Sequence, residues 1–337
     1  MYTYEDFKRE WESENGSIIC RTSGSTGTPS EIPLPKKEVA ASARRTIDFF
    51  GIDSGSHLRS CISPEFIGGK TQLIRALEAG CSFSYEQPSN RPLEGYEGGR
   101  ISLLSVVPSQ MIHILDNLDS MPRIDAILVG GSPIPNLLRN RIEASGLNVW
   151  ETYGMTETAS HIALRKVSSY SPGENETNAF KPLPGITVFL SDSHGLSARH
   201  NETGRLGIRI NGWKEIVTND IAEILPDGRF IILGRSDNVI ITGGRKIHPE
   251  ELEGRMSLFL DFPFFLTSEE DEKWGRRLLL VAETEPSRNS PQEILSKCRE
   301  NLQGYETPKS VKFVTSLPRT PNGKLKRNLN LGEPVDF

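Results

Sequence analysis

The apolar positions of this chain change their spacing several times, and each change marks an element. Residues 4–14 are mostly charged and polar, which predicts a polar surface helix. Residues 17–22 form a short β-like run, followed by a stretch rich in Gly, Ser and Thr over 23–30. Between 36 and 50, Val39, Ala43, Ile47 and Phe50 recur on one helical face. A second helix is predicted over 71–79. Residues 101–107 and 126–129 are short apolar runs bounded by turn residues, as in strands of a covered sheet. Helices over 109–118 and 136–145 fall between and after them. Strand, helix, strand, helix at this spacing predicts an α/β domain with a mainly parallel sheet and helical crossovers.

Beyond about residue 180 the texture changes. Residues 186–190, 206–210 and 230–233 are β-like, separated by turn sequences at 192–195 and 226–228. They predict a small antiparallel region. Residues 239–327 mix strands (278–282, 311–314) with helices (249–256, 291–302), an α+β arrangement. No internal repeat or low-complexity tract is present.

Composition changes this picture little. With 39 Lys+Arg against 44 Asp+Glu in 337 residues, the chain is mildly acidic, which argues against a protein whose main work is binding nucleic acid. The length suggests about two domains. Cys20, Cys61, Cys81 and Cys298 form no CxxC pair, which predicts reduced thiols in a cytoplasmic protein. No apolar run approaches the ~20 residues of a membrane span, and the N-terminus has no apolar leader region.

Four segments could carry chemistry. Thr22-Ser-Gly-Ser-Thr-Gly-Thr-Pro-Ser30 follows a β run and offers backbone N–H groups and hydroxyls to phosphate oxygens. Read alone, it is equally a surface loop. It is not a P-loop, because no lysine follows Gly27. The Gly69-Lys70-Thr71 decoy fails because Pro64 stands where the first glycine belongs. Glu151-Thr-Tyr-Gly-Met-Thr-Glu-Thr158 offers a carboxylate for Mg²⁺ and a hydroxyl for phosphate, or a solvated turn. Thr218-Asn-Asp220 with Gly234-Arg-Ser-Asp237 offers a carboxylate for a ribose diol and a hinge, or a surface ion pair. Pro321-Asn-Gly-Lys324 sets a long cationic stem on a tight turn, or begins a solvated tail.

In this order the four segments resemble the acyl-adenylate-forming superfamily: acyl- and aryl-CoA synthetases, nonribosomal adenylation domains and luciferases. The resemblance runs from residue 17 onward. It rests on the glycine-rich loop at 22–29, Tyr153-Gly-Met-Thr-Glu157, Thr218-Asn-Asp220, Gly234-Arg-Ser-Asp237, the glycine loop at 242–253 and Gly323-Lys-Leu-Lys-Arg327. Within the superfamily, residues 153–161, 182–185 and 243–253 are most similar to the branch that acts on o-succinylbenzoate in menaquinone biosynthesis.

The resemblance implies an ATP-dependent acid–CoA ligase working through an acyl-AMP. ATP, Mg²⁺, coenzyme A and a small aromatic or aliphatic carboxylic acid are its implied ligands. A large domain over 1–234 would be joined by a hinge at 235–237 to a small mobile domain over 238–337. Thr22, Ser23, Gly24, Ser25, Thr26 and Gly27 would hold the β- and γ-phosphates. Thr156 would meet the α-phosphate and Glu157 the metal. Gly131, Ser132, Glu151, Thr152 and Tyr153 would form the adenine pocket, and Asp220 and Arg235 would take the ribose. Lys324 would bridge the attacking carboxylate and the α-phosphate. Rotation about Asp237 would then bring Gly243, Gly244 and Lys246 to the site for thiolysis. Phe66, Ile67, Gly130, Ser160 and His161 would line the acid pocket, with His161, Lys70 or Arg75 answering a second carboxylate.

The pattern has departures. Ser30 stands where the family usually has lysine, leaving Lys36, Lys37 or backbone donors to substitute. Phe66 and Ile67 stand where relatives often carry a pocket histidine. The phosphate loop starts at residue 22, which implies that a usual subdomain is reduced or absent. A stand-alone adenylation enzyme loading a carrier protein, a non-catalytic nucleotide-binding scaffold and a homo-oligomeric state all stay open.

Overall fold

The computed structural model describes residues 2–21, 31–167, 179–192, 195–197, 203–272, 275–319 and 325–327. They fall into two compact units. One holds the described residues up to 167 together with 179–187 and 209–215, and the other holds 188–208 and those from 216 onward.

In the first unit, helix α1 (Tyr4–Glu12) starts with a capping box, Thr3 and Asp6 exchanging side-chain and backbone hydrogen bonds. It is not the polar surface helix expected: Tyr4 and Phe7 are buried among Ile18, Leu34, Val39 and Ile74. Its two aromatic anchors are too few to dominate the charged pattern. Strands β1 (Ser17–Arg21) and β2 (Glu31–Pro35) pair antiparallel, with Arg21 opposite Glu31, so they bracket 22–30. Helix α2 (Lys36–Phe50) has the predicted bounds and ends on the left-handed Gly51.

The main sheet has seven strands: β3 (His57–Ser60), β4 (Ser82–Tyr85), β5 (Leu103–Val106), β6 (Ile127–Val129), β7 (Val149–Met155), β8 (Ser160–Lys166) and β9 (Lys181–Pro182). Their order is β4-β3-β5-β6-β7-β8-β9, parallel from β4 to β7 and antiparallel beyond. Helices α3 (Ile67–Ala79), α4 (Pro108–Asp116) and α5 (Asn136–Ser145) connect the parallel strands. Leu104, Val106, Ile127, Val129 and Val149 pack with Met111, Ile114, Leu138 and Ile142 of the last two helices. All four residues of β5 and all three of β6 are buried, as strands covered on both faces require. The mainly parallel α/β fold is borne out. Helix α3 starts four residues before the predicted 71, because packing overrides the poor propensity of Gly68-Gly69.

A five-stranded sheet lies mostly in the second unit. Its strands are β10 (Ile186–Asp192), β11 (Gly195–Ser197), β12 (Thr203–Ile210), β13 (Lys214–Ile224) and β14 (Phe230–Arg235), in the order β11-β10-β12-β13-β14. Strands β15 (Ile240–Thr242) and β16 (Arg245–Ile247) are joined by Gly243 and Gly244, both left-handed, as a tight two-residue hairpin demands. Helix α6 (Pro249–Met256), β17 (Phe264–Asp271), β18 (Gly275–Glu283), α7 (Pro291–Asn301) and β19 (Ser310–Val314) complete the expected α+β region. In β18, Leu278, Leu280 and Ala282 face the cluster holding Leu252, Met256, Ile294 and Cys298, whereas Leu279 and Val281 face Phe265, Leu317 and Leu325. None of the four cysteines is in a disulfide. Among the described residues no helix is long and apolar enough to cross a membrane.

One glycine is fixed by the β7–β8 pairing. A Cβ on Gly154 would lie 2.4 Å from both the Ser160 carbonyl oxygen and His161 Cα. Both are backbone atoms and cannot swing aside. Gly154→Ala is expected to lower the unfolding free energy in urea by about 3 kcal/mol.

Candidate active site

The carboxyl ends of β6 and β7 carry most of the first unit's described candidates, the edge at which open α/β sheets bind ligands. Gly130, Gly131 and Ser132 leave β6, with the Gly130 N–H donating to the Val106 carbonyl at 3.2 Å. This turn is tied down by Glu151 on β7. Its carboxylate, 3 % exposed, accepts from Arg139 of α5, from Arg165 Nε of β8 at 2.7 Å and from the Ile134 N–H at 3.1 Å. Arg139 in turn donates to the Ile134 carbonyl at 3.2 Å. Burial pushes the Glu151 carboxyl up, but Arg139 and Arg165 overcome it and hold it at about 2. Arg139 and Arg165 were absent from the sequence-based candidates. Their spacing carries no motif, and only the fold brings them together.

The turn expected after 151 is instead a continuation of β7 to Met155 and one turn of 3₁₀ helix, Thr156–Thr158. The Thr158 hydroxyl accepts from the Met155 N–H at 3.0 Å and lies 2.7 Å from the Ser160 carbonyl. It holds Ala159 and Ser160 at φ of 54° and 101°. Left-handed backbone at a non-glycine residue costs on the order of 1–2 kcal/mol and persists only where surroundings impose it. Thr156 and Glu157 are half-buried. Glu157 lies within electrostatic reach of Lys214, whose pKa is lowered by burial and raised by that carboxylate.

Below this turn lies a buried polar layer. Arg75, on α3, is fully buried and donates to Gln72 Oε1 at 2.9 Å. Among the described residues no carboxylate pairs with it and its Nε has no partner, so burial lowers its pKa to about 9. Its Nη2 approaches His161 Nδ1 at 3.5 Å, and His161 Nε2 lies 3.0 Å from Thr46 Oγ1. An arginine can only donate, so Nδ1 accepts and the ring proton sits on Nε2. Burial first, then Arg75, keeps His161 neutral. Ser160 and Thr71 hydroxyls meet at 3.3 Å in the same layer. Lys70 is committed elsewhere, to Glu10 at 3.6 Å and over the rings of Tyr2 and Phe7. Phe66 is 38 % exposed at the N-cap of α3, and Ile67 begins that helix. Lys36, one substitute for the missing loop lysine, donates to the Ser13 carbonyl at 2.6 Å, and Lys37 pairs with Glu38.

The second unit holds its own set. Asp220 on β13 and Arg235 on β14 face each other across paired strands at 3.4 Å. Arg235 is gripped more firmly by Asp237, Nε to Oδ1 at 2.8 Å and Nη2 to Oδ2 at 2.7 Å. That fork lowers the Asp237 pKa and raises that of Arg235. Gly243, Gly244 and Lys246 are exposed on the β15–β16 hairpin. The phosphate-loop candidates Thr22 to Gly27 and the candidate Lys324 lie outside the described residues. Among the described residues no cluster of three His, Cys, Asp or Glu is placed to hold a metal.

This is a two-unit α/β scaffold with most of the first unit's described candidates at the carboxyl edge of a mainly parallel sheet. The AMP-binding enzyme family matches residues 4–213, and its C-terminal domain matches 267–324. The chain belongs to the AMP-binding enzyme family, as the ordered motifs implied. Similar relatives include the 2-succinylbenzoate–CoA ligase of Lactococcus lactis, 26% identical over 94% of this chain and 71% of that one. The ligase of the same name from Listeria monocytogenes is 26% identical over 94% and 70%. Among solved structures, an acyl-CoA synthetase (AMP-forming)/AMP-acid ligase II-like protein from Dyadobacter fermentans aligns with a TM-score of 0.61 at 29% identity. It is covered over 91% of its chain, against 96% of this one. The o-succinylbenzoate CoA synthetase of Bacillus subtilis, in complex with its acyl-adenylate, shares the fold with a TM-score of 0.77 at 23% identity, over 94% of this chain and 69% of that one.

Removing the Glu151 charge leaves two guanidinium groups facing a neutral side chain. Glu151→Gln is expected to cost about 3–5 kcal/mol of stability. A carboxylate held below its ordinary 4.5 stabilises the fold above that pH, and the contribution is lost as pH falls toward 2. Acid titration of the two proteins by circular dichroism should therefore differ most in slope between about pH 4.5 and 2.

Proposed function

We propose that this chain is an ATP-dependent, AMP-forming acid–CoA ligase whose acid is 2-succinylbenzoate. Family membership supports the reaction class, and the names of the relatives support the acid. The observation that carries the acid is Arg75. A buried guanidinium without a carboxylate partner among the described residues is costly. A dicarboxylic acid could bring the missing charge, one carboxylate reacting while the other compensates Arg75. His161 and Thr46 then act as neutral orienting groups, and Ser160 and Gly130 shape the wall.

In the first half-reaction the free carboxylate oxygen attacks the α-phosphorus of ATP. A new O–P bond forms, the bond to the β-phosphate bridge breaks and pyrophosphate leaves. Two anions must approach, so the protein's task is alignment and charge neutralisation. Thr22 to Gly27 are assigned to the β- and γ-phosphates, Thr156 to the α-phosphate, and Asp220 and Arg235 to the ribose. Gly131, Ser132, Thr152 and Tyr153 are assigned to adenine, with Glu151 contributing backbone only, because its carboxylate is already spoken for. Glu157 makes no ion pair within 4 Å among the described residues, which suits the one protein carboxylate that Mg²⁺ needs when phosphates supply the rest. Bound there, Mg²⁺ would supply positive charge to the phosphates. Lys324 is assigned to the reacting oxygens. In the second half-reaction the coenzyme A thiolate attacks the acyl carbon and AMP leaves. Gly243, Gly244 and Lys246 are assigned to that step, after rotation about Asp237. A cytoplasmic setting is part of this reading, on the four unpaired thiols.

ATP–pyrophosphate exchange with 2-succinylbenzoate, benzoate and short fatty acids tests the acid. Exchange is expected with 2-succinylbenzoate and at least ~100-fold less with benzoate, the scale of one lost charge-assisted contact. Equal exchange with benzoate overturns the second-carboxylate reading. Arg75→Met should raise KM for the acid by about 10-fold or more and leave KM for ATP within about 2-fold. Asp237→Pro, which fixes φ and breaks the fork to Arg235, should spare exchange and lower thioester formation by at least ~10-fold. Unchanged thioester output would remove the hinge.

A further inference from the structure

We propose that Arg327 is a positioning residue for adenylation, clamping the strand pair that flanks Lys324 in sequence onto helix α6. The inference rests on the role assigned to Lys324 above. The strand pair is defined on both sides of residues 320–324: Arg319 bridges Leu325, and the Lys326 N–H donates to the Pro318 carbonyl at 2.9 Å. Leu317 and Leu325 seat it on Phe265, Leu279 and Val281. Apolar contacts of this kind hold a strand pair on a sheet but tolerate sliding along it. Arg327 removes that freedom. Its Nη1 and Nη2 fork onto Glu253 at 2.5 and 2.6 Å, its Nε lies 3.4 Å from Glu250, and Nη1 also donates to the Leu266 carbonyl at 3.2 Å. A bidentate guanidinium–carboxylate pair fixes orientation as well as distance. The clamp is largely buried, Arg327 at 15 % and Glu253 at 16 % side-chain exposure, so water screens it little.

The same helix reaches the other end of the moving part. Glu250 accepts from the Asn238 side chain at 2.5 Å, one residue past Asp237, and packs so close to Gly234 that a Cβ there would lie 2.5 Å from its Oε2. Glu250 therefore touches both the segment around the pivot and the arginine three residues after Lys324. A cation carried on a rotating arm meets its target reproducibly only if the arm is stiff between pivot and tip, and a misplacement of about 1 Å can cost ~100-fold. The Asn238–Glu250–Arg327–Glu253 chain supplies that stiffness.

The test separates the half-reactions in Arg327→Lys, Lys324→Ala and the double variant, with thermal melting of each. Arg327→Lys keeps the charge and loses the fork. It is expected to lower the adenylation kcat by about 10- to 100-fold, with KM for ATP and acid within about 2-fold and thiolysis of supplied acyl-AMP within about 3-fold. Because Arg327 acts through Lys324, adding Arg327→Lys to Lys324→Ala should lower adenylation no further. Glu250→Gln, which leaves the Glu253 fork in place, should give the same split in weaker form, and it decides the matter if Arg327→Lys does not fold. Unchanged adenylation, or equal loss of both half-reactions, overturns the proposal. If Lys324→Ala itself spares adenylation, the reading beneath it fails. If Lys324→Ala abolishes adenylation and Arg327→Lys does not affect it, only the clamp fails.

Discussion

A carboxylate withdrawn from water is tolerated only when donors surround it, and Glu151 is the point at which this constraint organises the first unit. Its three partners come from three places: Arg139 on α5, Arg165 on β8 and the Ile134 N–H on the turn after β6. Satisfying one charge therefore locks a helix, the antiparallel edge of the sheet and the Gly130–Gly131 turn together. The turn after β6 is thus held by buried ionic bonds as well as by Ile134 packed in the core. That gives the rigidity a binding edge needs.

Arg75 shows the same physics left unresolved. It is as deeply buried as Glu151, yet its strongest partner is a neutral glutamine and its other neighbour a neutral histidine. Other buried charges among the described residues are closed within the protein, those of the Arg255–Glu306 and Arg327–Glu253 forks for example. A buried charge without such closure departs from the pattern, and departures of that kind gather where a ligand completes the balance.

Much of the architecture was legible in sequence because its periods are clean. The helix at 36–50 and the one at 136–145 have their predicted bounds, and the buried runs around 104, 128 and 280 are strands. Strands β3, β4 and β8 were not legible. His57-Leu-Arg-Ser60 carries an arginine that is buried only because Glu86 lies 2.7 Å away in the folded chain. Strand β13 was hidden because its residues 218–220 read as a site motif, and a motif hides the alternation beneath it. The ordered motifs made the family legible, whereas Arg139 and Arg165 became visible only through contacts 12 and 14 residues apart in sequence. Such pairings leave no local trace.

The three-stranded sheet of the second unit has a consequence for how the cell would treat damaged chains. The second face of β18 is covered by Val314, Leu317 and Leu325, the last two from the strand pair that flanks residues 320–324 in sequence. A nick near residue 316 would uncover Phe265, Leu279 and Val281 as a contiguous apolar strip beside strand edges, the kind of surface that aggregates and that proteases and chaperones engage. Losing that strand pair and losing solubility would then be one event.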